Sequence, residues 1–342
     1  MCVLAGYYIL HKPFFKNPLK INGFFNEQEY FIPLKITGFS RANIPELEIK
    51  IENTIVAAKV DFGWQGGVLL PSSMMKTIKQ KSFVTKETSY GLRGKSYERD
   101  IYEVPEVLLG KFHVFPMRIA EENLEFSRDA VFKEGKKEIN EDHLGTIGWC
   151  VFKPFNVLLD CEHSAIVVCD SLDTLKKQGY PMDSFIEVPL LLDRGSLDFE
   201  VMTEEGPLRC TLDTGATWNF LNKDLQYQQQ DHRFIDLNQL LEESPIKFNP
   251  ANEDLLIFNS EDEWETKTFQ INGNEFGPVN FVKIKSPLGI DAIVGMEFIE
   301  NHLIFIDFKR ERICFSNLPE ERSLFVRAYD FVEGKLQEVK KP

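Results

Sequence analysis

The chain has 342 residues, a formal charge of −14, six cysteines and 29 phenylalanines. That length suits two domains of ordinary size, each able to bury its own core. The negative balance argues against nucleic acid or an anionic membrane as partner, and it favours solubility and attraction toward basic substrates.

In chain order, Met1 to Leu10 is apolar but too short to span a bilayer and lacks a basic start, so it reads as a first strand or an anchor, with the remnant of a signal sequence as the alternative. Phe31-Ile-Pro33-Leu34 opens a strand. Val56-Ala-Ala-Lys-Val60-Asp61-Phe62-Gly63 is an apolar strand running into an acid and a glycine turn, followed by Val68-Leu69. Ser89-Tyr90-Gly91-Leu92-Arg93-Gly94-Lys95-Ser96 has the two glycines of a hairpin tip. The segment Phe126 to Asn140 reads as a charged helical insertion. Thr146-Ile147-Gly148-Trp149 leads into Phe152, and Asp160 and Ile166 follow in strand-like runs.

Ser171 to Ser184, with Lys-Lys-Gln-Gly-Tyr-Pro, reads as a helix end and linker. Glu187-Val-Pro189-Leu190 opens another strand, and Leu208-Arg-Cys-Thr-Leu-Asp213-Thr214-Gly215-Ala216-Thr217 then meets Phe220-Leu221. Phe234, Leu237, Leu240 and Leu241 make a helical stripe within Arg233 to Glu243. Asp291-Ala-Ile293-Val294-Gly295-Met-Glu-Phe298 precedes the buried-strand pattern Asn301 to Phe308 and its hairpin partner Arg312-Ile313-Cys314-Phe315. The tail from Pro319 carries Leu324, Phe325, Ala328 and Phe331 at amphipathic-helix spacing.

These elements form a repeat. Asp213 follows Asp61 by 152 positions, and Phe220-Leu221 stand to Asp213 as Val68-Leu69 stand to Asp61. Asp160 follows Gly148 at the interval by which Asp307 follows Gly295, and Ile166 matches Ile313 in the same way. The chain is two copies of one β-rich lobe.

A bare Asp-Thr-Gly arises by composition in about one chain in fifteen of this length, but its context here is specific. A strand ending in Asp213-Thr214-Gly215, followed by Ile293-Val294-Gly295 and a short helix, resembles the retropepsin-like and pepsin-like aspartic proteases across roughly Val188 to Ser316. The resemblance implies an all-β fold of two acid-protease barrels in one chain, with a cleft between them and few short helices. It implies that Asp213 and Asp61 are the catalytic pair, sharing one proton because two carboxyls about 3 Å apart cannot both ionise. It assigns Thr214, Gly215, Ala216, Gly63, Gly295 and Gly148 to support the two loops, and Tyr90, Gly91 and Gly94 to a flap over substrate, the alternative for Tyr90 being an ordinary surface hairpin.

The first loop departs from the family pattern. Asp61-Phe62-Gly63-Trp64 puts Phe62 where a threonine hydroxyl would bridge to the opposite loop, and bulky Trp64 where a small residue stands. Phe258 to Glu261, at the flap stage of the second copy, has no glycine. The Asp-Phe-Gly triplet is not a kinase signature, since no glycine-rich loop, strand lysine or His-Arg-Asp loop accompanies it.

The expected organisation is an N-terminal segment 1–28, a first lobe 29–170 with the degenerate Asp-Phe-Gly, a linker 171–184, a second lobe 185–316 with Asp-Thr-Gly, and a helical tail 317–342. Cys2, Cys150, Cys161, Cys169, Cys210 and Cys314 lack the spacing of a disulfide framework or zinc knuckle, so free thiols and a reducing, cytoplasmic compartment are expected. Histidines are scattered, and His143 and His302 read as loop or core residues. Neither metal nor organic cofactor is implied, because a carboxyl pair supplies both acid and base. The expected partner is a peptide or protein substrate, taken up by a monomer. Three readings stand at this point: an aspartic endopeptidase using Asp61 and Asp213, a pseudoprotease that binds peptide or protein without cutting it, and a homodimer pairing two second lobes through Asp213.

Overall fold

The computed structural model describes residues 20–21, 31–39, 44–90, 96–110, 112–115, 117–122, 144–223, 263–284 and 289–317. The expectations for Met1 to Leu10, Cys2, His143, both helical insertions, Phe258 to Glu261 and the tail from Pro319 lie outside these residues.

Alternation along the strands sets which face is buried. In Pro45–Ile51, Leu47, Ile49 and Ile51 turn into the core while Glu48 and Lys50 stay exposed. This strand turns tightly into Thr54–Asp61 through Glu52, whose φ of 52° is in the left-handed region. The Glu52 carboxylate accepts the Lys79 and Gln80 N–H groups, tying the turn to the next segment.

The two halves repeat one strand arrangement. In the first, Thr54–Asp61 lies parallel to Leu144–Gly148, which runs antiparallel to Val68–Pro71, which is parallel to Met117–Glu122. In the second, Gly206–Leu212 lies parallel to Ala292–Val294, which runs antiparallel to Phe220–Asn222, which is parallel to Asn280–Ile284. Val60 faces Ile147 as Leu212 faces Val294, so the two copies hold their acid-bearing strands in one register. On the first copy's sheet the hairpin Ser82–Tyr90 and Ser96–Val104 pairs onto Met117–Glu122, and Tyr90 faces Ser96 at its end.

A third, six-stranded sheet joins the copies, in the order Ile186–Pro189, Arg312–Asn317, His302–Asp307, Asn156–Asp160, Ala165–Cys169, Phe31–Lys35. At its centre Leu158 faces Phe305, flanked by Val157 opposite Ile306 and Leu159 opposite Ile304, which is the register of an approximate two-fold axis. The last strand continues one residue past 316, to Asn317. The inner strands Asn156–Asp160, Ala165–Cys169 and His302–Asp307 are buried along their whole length and mostly apolar, because both faces are covered. Val157, Leu159, Ile304 and Ile306 face the main core, while Leu158, Val167, Leu303 and Phe305 pack under the helix Leu172–Lys177 through Leu172 and Leu175. Ser171 caps that helix by accepting the Thr174 N–H at 3.2 Å.

The described cysteines are unpaired: Cys150, Cys169, Cys210 and Cys314 are buried and Cys161 is half-buried. His302 is a core residue, stacked on Phe298 with its Nδ1 2.7 Å from the Phe298 carbonyl. No helix among the described residues is long and apolar enough to cross a membrane.

Candidate active site

Each copy ends its acid-bearing strand in a tight loop, and the two loops meet. Asp61 and Asp213 close these strands, and both side chains are almost fully buried, at 4% and 1% exposure. The Gly63 and Gly215 N–H groups both donate to Asp213 Oδ1, at 3.1 and 2.7 Å. The Trp64 N–H donates to Asp61 Oδ1 at 3.1 Å. A Cβ on Gly63 would overlap the Asp213 carboxyl, and a Cβ on Gly215 would come within 2.5 Å of Asp61 Cγ. Each carboxyl therefore lies against the opposite loop's glycine, and no other residue type leaves that space.

The carboxyls are hydrogen-bonded to each other. Burial, then the charge of Asp213 and the hydrogen bond to it, hold the Asp61 carboxyl well above the ordinary range. Burial also raises Asp213, but the hydrogen bond from Asp61 and the N–H groups of Gly215, Gly63 and Ala216 pull it back down. Both carboxyls are thus held above the ordinary range, and the pair titrates as a unit.

Thr214 braces the loops. Its hydroxyl donates to the Val60 carbonyl at 2.7 Å and accepts the Phe62 N–H at 2.9 Å. Phe62 has no hydroxyl to return the bridge, and its ring is buried against Phe152 with centroids 5.4 Å apart.

Behind each loop a glycine closes the packing. The Gly148 N–H donates to the Gly67 carbonyl at 2.8 Å, and the next residue, Trp149, donates to the Trp64 carbonyl at 3.1 Å. In the second copy the Gly295 N–H donates to Asn219 Oδ1 at 2.8 Å, and Met296 donates to the Ala216 carbonyl at 2.8 Å. A Cβ on either glycine would strike those backbone carbonyls, at 2.6 Å from Trp64 O or Ala216 O. Asn219, which sequence reasoning missed, supplies with its side chain what Gly67 supplies with its backbone. It stands at the position equivalent to Gly67 in the repeat, and that alignment was the available signal.

No family model matches this chain, and no curated protein matches it. Among solved structures it superposes on basic 7S globulin from soybean with a TM-score of 0.51 at 10% identity, covering 84% of this chain and 94% of that one. The fold is pepsin-like, with two lobes. At 10% identity the likeness extends to the fold alone, and that neighbour is named as a globulin rather than as a protease.

Of the residues singled out in the sequence, Asp61, Gly63, Asp213, Thr214, Gly215, Ala216, Gly148 and Gly295 come together at this junction. Tyr90 ends the first strand of the hairpin Ser82–Tyr90 and Ser96–Val104. Gly91 and Gly94 fall outside the described residues. Trp64 is fully buried and packs with Leu69, Ala120 and Ile101, the last on the hairpin's second strand. Asp160, at the repeat position of Asp307, is a buried structural acid. Its Oδ2 accepts the Tyr180 hydroxyl at 2.7 Å and lies 2.8 Å from His163 Nδ1.

Proposed function

We propose that this protein is an aspartic peptidase, a tandem-duplicated relative of the retropepsin-like and pepsin-like enzymes, with Asp61 and Asp213 as its catalytic pair. The observation that carries the reading is the pairing of two buried carboxyls from equivalent loops, each lying against the opposite loop's glycine. Asp213 is the general base: it takes a proton from a water as the oxygen attacks the peptide carbonyl. Asp61 gives its proton to the developing oxyanion, and proton return to the leaving nitrogen completes cleavage. Thr214 holds the loops at the spacing this exchange needs, and the hairpin of Ser82–Tyr90 and Ser96–Val104 serves as the flap that covers the bound peptide and excludes water.

A second reading has its own support. Both carboxyls are nearly sealed from solvent and Trp64, in the Asp61 loop, is wholly buried, as suits a pseudoprotease that binds a peptide or protein without cutting it. Cleavage of a diverse peptide mixture from acidic to neutral pH, by wild type, Asp213→Asn and Asp61→Asn, separates the readings. The peptidase reading expects cleavage that both substitutions abolish. An inactive wild type at every pH hands the function to the pseudoprotease, and loss in Asp213→Asn alone points to paired second lobes.

A further inference from the structure

In the repeat, Trp64 stands where the second copy has Ala216, and Gly66 stands where it has Trp218. The large and the small residue are exchanged. The structure gives the consequence: the Trp64 ring lies over Gly66, so a Cβ there would overlap the indole. In the first copy, then, the indole takes the space from which a residue-66 side chain would extend. It is wholly buried and packs with Leu69, Ile101 and Ala120 in a small cluster separate from the main core. Two contacts locate the residue. The Trp64 backbone N–H donates to Asp61 Oδ1, which fixes residue 64 in the acid loop, and Ile101, against which the ring packs, belongs to the hairpin. The side chain therefore runs from the first acid loop to the hairpin. In the second copy small Ala216 holds the corresponding place, and Trp218 is only half-buried, against Ala216, Phe220, Ile284, Ile290 and Ile293.

We propose that Trp64 is a resident occupant of an apolar side-chain subsite next to the carboxyl pair. This subsite on the first lobe admits only Gly, Ala or Ser from a bound peptide. The proposal rests on the peptidase reading and adds a substrate class to it: peptides with a small residue at one position near the scissile bond. The pocket that the indole fills has walls of Leu69, Ile101 and Ala120, so without the ring it would take a large aliphatic or aromatic side chain. Discrimination of this kind follows from volume, and a hydrophobic pocket changes selectivity by about 10–200-fold per methylene-scale change in fit.

The test is cleavage profiling of a peptide mixture by wild type, Trp64→Ala and the milder Trp64→Leu, which guards against a variant that does not fold. The expected result is a small-residue preference at one subsite in wild type. In the variants the ratio of kcat/KM for bulky over small residues at that subsite rises by about tenfold or more, with the other subsites unchanged. Identical profiles in wild type and both variants overturn the proposal.

A second readout keeps the two claims distinguishable if nothing is cleaved. An aryl-substituted epoxide is attacked by the ionised carboxylate: a carbon–oxygen bond forms, the ring C–O bond breaks, and the alkoxide takes the proton held by the partner acid, leaving a hydroxy ester. Mass spectrometry of proteolytic fragments locates the ester. Faster labelling of Asp61 or Asp213 in the Trp64 variants by the aryl epoxide, but not by propylene oxide, supports the occupied subsite even in a protein that does not cut peptides. Equal acceleration with both reagents, or none with either, overturns it.

Discussion

Thr214 bridges to Phe62 and receives no bridge in return: its hydroxyl accepts the Phe62 N–H and donates to the Val60 carbonyl, while Phe62 offers only a buried ring. The junction of the two lobes is therefore braced from one side. Two buried hydrogen bonds depend on one hydroxyl, and each buried group left without its partner costs about 1–3 kcal/mol. Thr214→Val should lower stability by about 2–6 kcal/mol, and Thr214→Ser should keep most of it. Chemical denaturation of the three proteins checks this; a Val variant as stable as wild type would remove Thr214 from the brace.

Giving the first loop a threonine like Thr214 of the second copy should not help. Phe62→Thr supplies the missing hydroxyl but deletes a fully buried ring packed on Phe152. Losses from large-to-small aromatic substitutions run about 3–5 kcal/mol, more than two hydrogen bonds return. The variant should melt lower than wild type, and a higher melting temperature would contradict the packing argument.

Why Phe62 could be read as a departure but not as a packing residue is a matter of what sequence encodes. The paired acids, the two Gly148- and Gly295-type closures and the shared central strands were legible because duplication writes each of them twice, at matching intervals. Period and burial also agree along Asn156–Asp160 and His302–Asp307, where apolar runs mark strands covered on both faces. The direction of a single side chain is not repeated in this way. Nothing in Trp64-Gln65-Gly66 announces that the indole folds back over Gly66, or that Asn219 replaces a backbone carbonyl, because both depend on elements brought together by tertiary packing.

The pH dependence of stability should carry the mark of the pair. Asp61 has a folded-state pKa raised well above its unfolded value, so the folded state holds a proton that the unfolded chain releases. Its contribution is most favourable below the ordinary carboxylate range and is lost as pH climbs from there toward the raised folded value. Each unit of that shift costs about 1.4 kcal/mol. Asp61→Asn keeps a donor for Asp213 and removes the titration. The variant should therefore gain stability relative to wild type as pH rises from about 4 to about 7. Parallel curves for the two proteins would mean that Asp61 does not hold the proton.

Gly295 should tolerate no side chain. An alanine Cβ there would meet the Ala216 carbonyl at 2.6 Å and the Trp218 carbonyl closer still, and both are backbone atoms that hold the Asp213 loop. Overpacking of this kind typically costs about 1–3 kcal/mol and more where the obstruction cannot move. Here relief would have to come from the loop itself, which also receives the Met296 N–H through Ala216. Gly295→Ala should thus lose stability and displace Asp213 together, so that any peptide cleavage falls further than the stability loss alone explains. Gly206→Ala is the control, because an added Cβ there meets no atom within 4 Å. Its positive φ of 121° still costs backbone strain in a turn remote from the acids. Comparing the two variants at equal folded fraction separates a displaced carboxylate from a merely weakened fold.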